Sequence, residues 1–152
     1  MSPSYKVADP AFRDRIRASF DRQGAMSTLG ASLLSIEPGE VSIRLFGAPH
    51  ISQQHGFVHG GVIAAVLDTA CGYAASSLMP AEAGILTVEF KINFLAPAAG
   101  EIFEMIGRVR KAGRTLSLTD GDAYAVAGTE RKLIATLTAT MMTITGRDNI
   151  KA

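Results

Sequence analysis

Between Gly60 and Pro80 the chain carries a single charged side chain, Asp68, set among Val, Ile, Ala and Leu. An ionised carboxylate in such company is costly unless a partner or a task compensates for it. Immediately upstream, His59-Gly60-Gly61 opens the run. A helix that starts on two glycines presents unpaired backbone N–H groups, and these attract negative oxygen. A donor for a developing oxyanion and a carboxylate that can attack or activate water are two parts of acyl-transfer chemistry. Cys71, three residues past Asp68, has no adjacent base in sequence and reads as a buried structural thiol. His50, His55 and His59 fall close together, but their spacing fits no standard zinc signature and no Cys lies nearby, so no metal centre is expected.

Helix pitch constrains how these groups can cooperate. Gly60 and Asp68 are eight positions apart, about 12 Å along a helix axis. One substrate carbonyl cannot touch both groups of the same helix. If both serve one substrate, the second comes from another copy of the chain, at a two-fold interface. The expected assembly is therefore a homodimer.

The elements that must position these groups follow from periodicity. Asp9-Pro10 ahead of Phe12, Ile16 and Phe20 predicts a capped helix with one apolar stripe, ended by Gly24. Leu29, Ala31 and Leu33, the turn Glu37-Pro38-Gly39-Glu40, and then Val41, Ile43 and Leu45 predict a β-hairpin. Residues 47–57 lack a period and read as a loop. The stretch from Gly60 to Leu78 is apolar nearly all round, which predicts a helix buried on most faces. Beyond Pro80, strict alternation predicts that Leu86, Val88, Phe90, Ile92 and Phe94 face one way and Thr87, Glu89, Lys91 and Asn93 the other. Three more strands are expected near Glu101–Lys111, Arg114–Val126 and Lys132–Ile144, joined by short turns into an antiparallel meander. One apolar helix is covered on several sides only if the sheet curls around it.

At 152 residues, the chain has the size of one domain. We expect residues 1–25 to form an N-terminal helical segment and 26–145 the core. With 47% hydrophobic and 19% charged residues there is ample surface to bury and no signature of disorder. A formal net charge of +1 argues against nucleic acid as a partner. The Gly60–Met79 run is long enough to cross a bilayer, but Asp68 near its centre would cost about 2.5–3.5 kcal/mol, so no membrane span is expected. The first residues lack the apolar core of a secretory signal and the single Cys cannot form an internal disulfide, which together predict a cytoplasmic protein.

The ordered set of motifs adds a resemblance. His59-Gly60-Gly61 with Asp68-Thr69-Ala70, then Gly72-Tyr73-Ala74, the strand Val88–Pro97 and Lys111-Ala112-Gly113-Arg114-Thr115 resemble the PaaI-like (phenylacetate-degradation type) acyl-CoA thioesterases of the hotdog fold. The resemblance spans roughly Met26 to Ile144. It implies an α+β hotdog fold, a curved antiparallel sheet wrapped around one central helix, here with an extra N-terminal helix. It implies hydrolysis of an aryl- or fatty-acyl-CoA thioester without a cofactor, in a homodimer assembled further into a homotetramer. By position, Asp68 matches the catalytic carboxylate and Gly60 the oxyanion donor. Gln53, His59 and Thr87 match an amide, the His of the glycine turn and a hydroxyl that orients water. Gly61 and Gly72 are expected to line the substrate site; at Gly72 some relatives carry Thr, so a hydroxyl contact is lost here. Lys111 and Arg114, at a hairpin turn, are the expected partners of CoA phosphates. Two other readings are a non-catalytic acyl-CoA or lipid-binding protein on the same fold and a hotdog-fold dehydratase.

Overall fold

In the computed structural model, which describes residues 4–151, two short helices come first, α1 (Phe12–Asp21) and α2 (Gly24–Leu29). They are followed by β1 (Ser32–Glu37), β2 (Glu40–Phe46), the long helix α3 (Gly60–Ser76) and the strands β3 (Gly84–Phe94), β4 (Ile102–Lys111), β5 (Leu116–Ala127) and β6 (Glu130–Ile144). All six strands form one antiparallel sheet in the order β1-β2-β4-β5-β6-β3. This curved sheet around a central helix is the expected hotdog architecture.

The apolar composition of α3 explains its position. Ile63, Val66, Leu67, Ala70 and Ala74 lose all exposure against Val41, Ile43, Leu45, Phe103, Met105 and Met141 of the sheet. Burying each of the larger side chains stabilises the fold by about 1.5–3 kcal/mol, and each alanine methyl by about 0.8 kcal/mol. Where the helix crosses the sheet, glycines face it from paired positions, Gly107 on β4 and Gly121 on β5. A Cβ on Gly107 would clash with the backbone of Ala70 and Cys71, and one on Gly121 would press on Cys71 Sγ and Leu67. The close approach of helix and sheet depends on both. Among the described residues, no helix is long and apolar enough to cross a membrane.

The N-terminal segment is tied to the far end of α3. Phe12, Ile16 and Phe20 are buried as the stripe predicts. Asp9 accepts from the Ala11 N–H at 2.9 Å, and its other oxygen accepts from Arg15 Nε at 2.9 Å. Arg15 then donates to Ser76 Oγ, Ser76 O and Met79 O at 3.1–3.2 Å, so its guanidinium ties α1 to the end of α3 and the turn after it, where Ser76 O also accepts from the Met79 N–H at 3.0 Å. The start of the chain differs from expectation in three places: α1 begins at Phe12 after Ala11, so Asp9 and Pro10 precede the helix instead of being its cap and first residue, and two later boundaries fall elsewhere. Gly24 opens α2 instead of ending the helical segment, and Leu29 is helical instead of the first residue of a strand. The stop signal is Gly30, whose φ of 73° suits glycine, one residue past the end of α2.

A second difference lies in β3. Thr87 pairs with Met141, but the next paired residue is Glu89, opposite Thr140, so Val88 is an extra residue in the strand. Such a bulge reverses the alternation. Phe90, Ile92 and Phe94 lie opposite the buried Ala139, Leu137 and Ala135, and Thr87 lies opposite the buried Met141. Thr87 therefore shares the helix-facing side with the aromatic residues instead of opposing them. β3 is also an edge strand, and Leu86, Val88 and Phe94 on it are 48%, 54% and 53% exposed.

Candidate active site

Asp68 sits half-buried in the middle of α3 and is held by the strand beneath it: Thr87 Oγ1 donates to Asp68 Oδ1 at 2.8 Å. The bulge at Val88 is what turns the Thr87 hydroxyl toward the helix. Burial pushes the carboxyl above the ordinary aspartate range, and the Thr87 hydrogen bond opposes that shift without cancelling it. A carboxylate in this state is a better base and nucleophile than one in water. Beside it lies a cavity of about 220 Å³, walled by Thr87, Ile85, Gly72, Tyr73, Gln23 and Ser19. Gly72 keeps its floor open, since a Cβ there would meet nothing within 4 Å. Cys71, in contrast, is fully buried, and burial pushes its thiol up to about 12, so it is no nucleophile near neutral pH.

The other group is built at the start of the same helix. His59 is extended (φ −60°, ψ 134°) and caps α3, its Nδ1 accepting from the Gly61 N–H at 2.9 Å. The His59 carbonyl accepts from Val62 and Ile63 at 2.9 and 3.2 Å. Of the first four N–H groups of α3, only that of Gly60 has no acceptor among the described residues. It opens on a separate cavity of about 480 Å³, walled by Gln53, Phe57, Ile63, Phe94, Pro97 and Ile134. A Cβ on Gly60 would come 3.0 Å from the Phe94 ring, so glycine leaves room in front of the donor. Gln53 Oε1 accepts from the His55 N–H, leaving its amide nitrogen free among the described residues.

The structure thus brings Thr87 to Asp68 and Gln53 to Gly60, and it keeps the two pairs in different cavities of one protomer. His59 and Gly61 serve the cap. Lys111 and Arg114 are exposed at the β4–β5 turn and line neither cavity. Among the described residues, no group of three His, Cys, Asp or Glu is placed to hold a metal ion. Ser19, Gln23, Thr69 and Tyr73, which sequence reasoning passed over, line the Asp68 cavity. For Thr69 and Tyr73 the signal is a polar stripe, Asp68, Thr69, Gly72 and Tyr73, at neighbouring positions of an otherwise apolar helix; Ser19 and Gln23 carry no such signal.

Comparison with known proteins identifies the family and the fold. Residues 55–131 match the family model of the thioesterase superfamily. The chain is 29% identical over 119 residues to a candidate esterase of Halobacterium salinarum, covering 75% of this chain and 78% of that protein. Among solved structures, a thioesterase family protein from Silicibacter pomeroyi is 49% identical, with a TM-score of 0.87 over 89% of this chain and 99% of that one. The PaaI protein of E. coli, from the phenylacetic acid degradation operon, has a TM-score of 0.79 at 21% identity, over 91% of this chain and 97% of its own, a likeness of fold.

Proposed function

The chain belongs to the thioesterase superfamily, and from that premise we propose that it hydrolyses acyl-CoA thioesters at a site shared between two protomers. The observation that carries this reading is the separation of the Asp68–Thr87 pair from the free Gly60 N–H, each with its own cavity. Neither cavity holds a complete site. Two chains joined along the β3 edge supply each other's missing half, and the same union covers the exposed Leu86, Val88 and Phe94 and removes an unpaired strand edge. A dimer of dimers built from this unit is the assembly we assign.

In such a site, the Gly60 N–H of one chain, at the positive end of α3, binds the thioester oxygen as it becomes an oxyanion. Asp68 of the other chain attacks the thioester carbon or takes a proton from the water that does, and Thr87 holds the carboxylate in place. The carbon–sulfur bond breaks, CoA leaves as the thiol, and water supplies the hydroxyl of the free acid. The Gln53 amide adds a donor next to Gly60, and Lys111 and Arg114 meet the CoA phosphates. No cofactor takes part in this scheme. A lone, buried thiol fits a cytoplasmic setting.

Free-thiol release from a panel of acyl-CoA substrates tests the reading. Asp68→Asn is expected to lower kcat/KM by about 10²–10⁴-fold. Equal rates in variant and wild type would remove Asp68 from the mechanism. Tight acyl-CoA binding with no turnover by the wild type would make the protein a binding module.

A further inference from the structure

The wall of the Asp68 cavity opposite Thr87 is polar, and it is supplied by the N-terminal segment together with the last turns of α3. Ser19 Oγ lies 3.1 Å from the Tyr73 hydroxyl, Gln23 Nε2 donates to that hydroxyl at 3.3 Å, and Thr69 Oγ1 donates to Gln23 Oε1 at 3.3 Å. Ser19 and Gln23 lie outside the family-matched residues and Thr69 and Tyr73 inside them, so this wall joins the N-terminal segment to the shared part of the chain. We propose that Ser19, Gln23 and Tyr73 are specificity-determining residues that select short acyl groups ending in a neutral oxygen acceptor, a hydroxyl or a ketone. This inference rests on the hydrolase reading above.

Donors outnumber their partners at this wall. Ser19 and Tyr73 hold two hydroxyl hydrogens between them, and their mutual contact uses one. Gln23 Nε2 has two hydrogens, and Tyr73 takes one. An O–H and an N–H are left over at the cavity wall, while the Gln23 oxygen lies 3.3 Å from Thr69 Oγ1, whose one hydrogen is shared with Ala65 O at 2.9 Å. Spare donors call for an acceptor. A purely hydrocarbon acyl end would strip them of water and leave them unpaired, which costs about 1–3 kcal/mol per group. A terminal carboxylate would instead share the cavity with Asp68 and be repelled by it, since Lys151, the one cation lining the cavity, is already paired with Asp148 at 2.8 Å.

Size and path agree. The open floor at Gly72 lies one helical turn beyond Asp68, in the direction of Tyr73. The space beside Asp68, about 220 Å³, has room for a short acyl group, and six-carbon chains serve as its probes.

The test compares hexanoyl-CoA, 6-hydroxyhexanoyl-CoA and adipoyl-CoA as substrates, together with the hydrolysis-inert thioethers S-hexyl-CoA and S-(6-hydroxyhexyl)-CoA as ligands. Wild type is expected to favour the hydroxylated member of each pair by about tenfold, in kcat/KM and in Kd, and to disfavour adipoyl-CoA relative to 6-hydroxyhexanoyl-CoA. Tyr73→Phe and Gln23→Leu should bring both hydroxyl preferences close to one. A wild-type preference near one, a preference for adipoyl-CoA, or a preference that survives Tyr73→Phe while Tm falls would overturn the proposal, the last by showing that these groups only dock α1. The thioether arm separates the two readings: a hydroxyl preference in Kd with no turnover of any thioester upholds the wall and overturns hydrolysis.

Discussion

The two ends of the proposed reaction are built from opposite materials on one helix. At the mouth of α3 the working group is backbone: the Gly60 N–H, left free because His59 occupies the other three N–H groups of the first turn, facing a largely apolar cavity. Eight residues on, the working group is a side chain, Asp68, made more basic by burial and held by Thr87 beside a polar cavity. A donor at a helix end needs small residues and open space, whereas a basic carboxylate needs desolvation and one well-placed hydroxyl. A single helix can supply both environments only by separating them along its length, and that separation makes the second protomer necessary.

The donor end can be broken without breaking the helix. Proline suits the first helical position, and the extended backbone of His59 is what a residue before proline adopts. Gly60→Pro deletes the N–H, while Gly60→Ala keeps it and adds the same first carbon against Phe94. The proline variant should fall below the alanine variant in kcat by about 10²–10³-fold. Similar rates for the two in thiol-release kinetics would mean that crowding, not the donor, matters at this position.

The carboxylate end responds to pH. Asp68 must be ionised to act, and its pKa is raised by burial, so activity is lost on acidification at a higher pH than for an ordinary aspartate. The Thr87 bond favours the charged form, and Thr87→Val removes it. The acidic limb of the kcat/KM profile should then move to still higher pH, with a rate loss largest below neutrality and smaller on the alkaline plateau. A uniform loss at every pH would show that Thr87 positions a reactant and does not tune Asp68.

Arg15→Ala sharpens the comparison from outside both half-sites. It leaves the Met79 carbonyl without that donor, takes one of two donors from Ser76 O at the far end of α3, and removes the charged partner of Asp9. A destabilisation of about 2 kcal/mol, roughly 4–8 °C in Tm, is expected by calorimetry. Its effect on kcat should stay well below that of Gly60→Pro.

How far the sequence reveals this arrangement depends on how local each signal is. Asp68 in an apolar helix, the glycine turn before it and the 12 Å between them need only helix pitch and composition. The side of β3 that Thr87 faces is different, because one bulged residue at Val88 reverses a faultless alternation and nothing in the residues 86–94 announces it. The stop after Leu29 is equally hidden, since the helix-ending glycine proved to be Gly30 and not Gly24. The polar wall depends on α1 and α2 folding back over α3, a contact across some fifty residues that no local pattern encodes.

Subunit complementation tests the shared site most directly. Asp68→Asn and Gly60→Pro each disable one half, and unfolding and refolding the two inactive proteins together makes mixed dimers in which one of the two sites has both intact groups. The account predicts that the mixture regains about a quarter of wild-type activity, from half the dimers being mixed and half their sites whole. If the mixture forms mixed dimers and stays as inactive as its components, Asp68 and Gly60 do not act on one substrate from two chains.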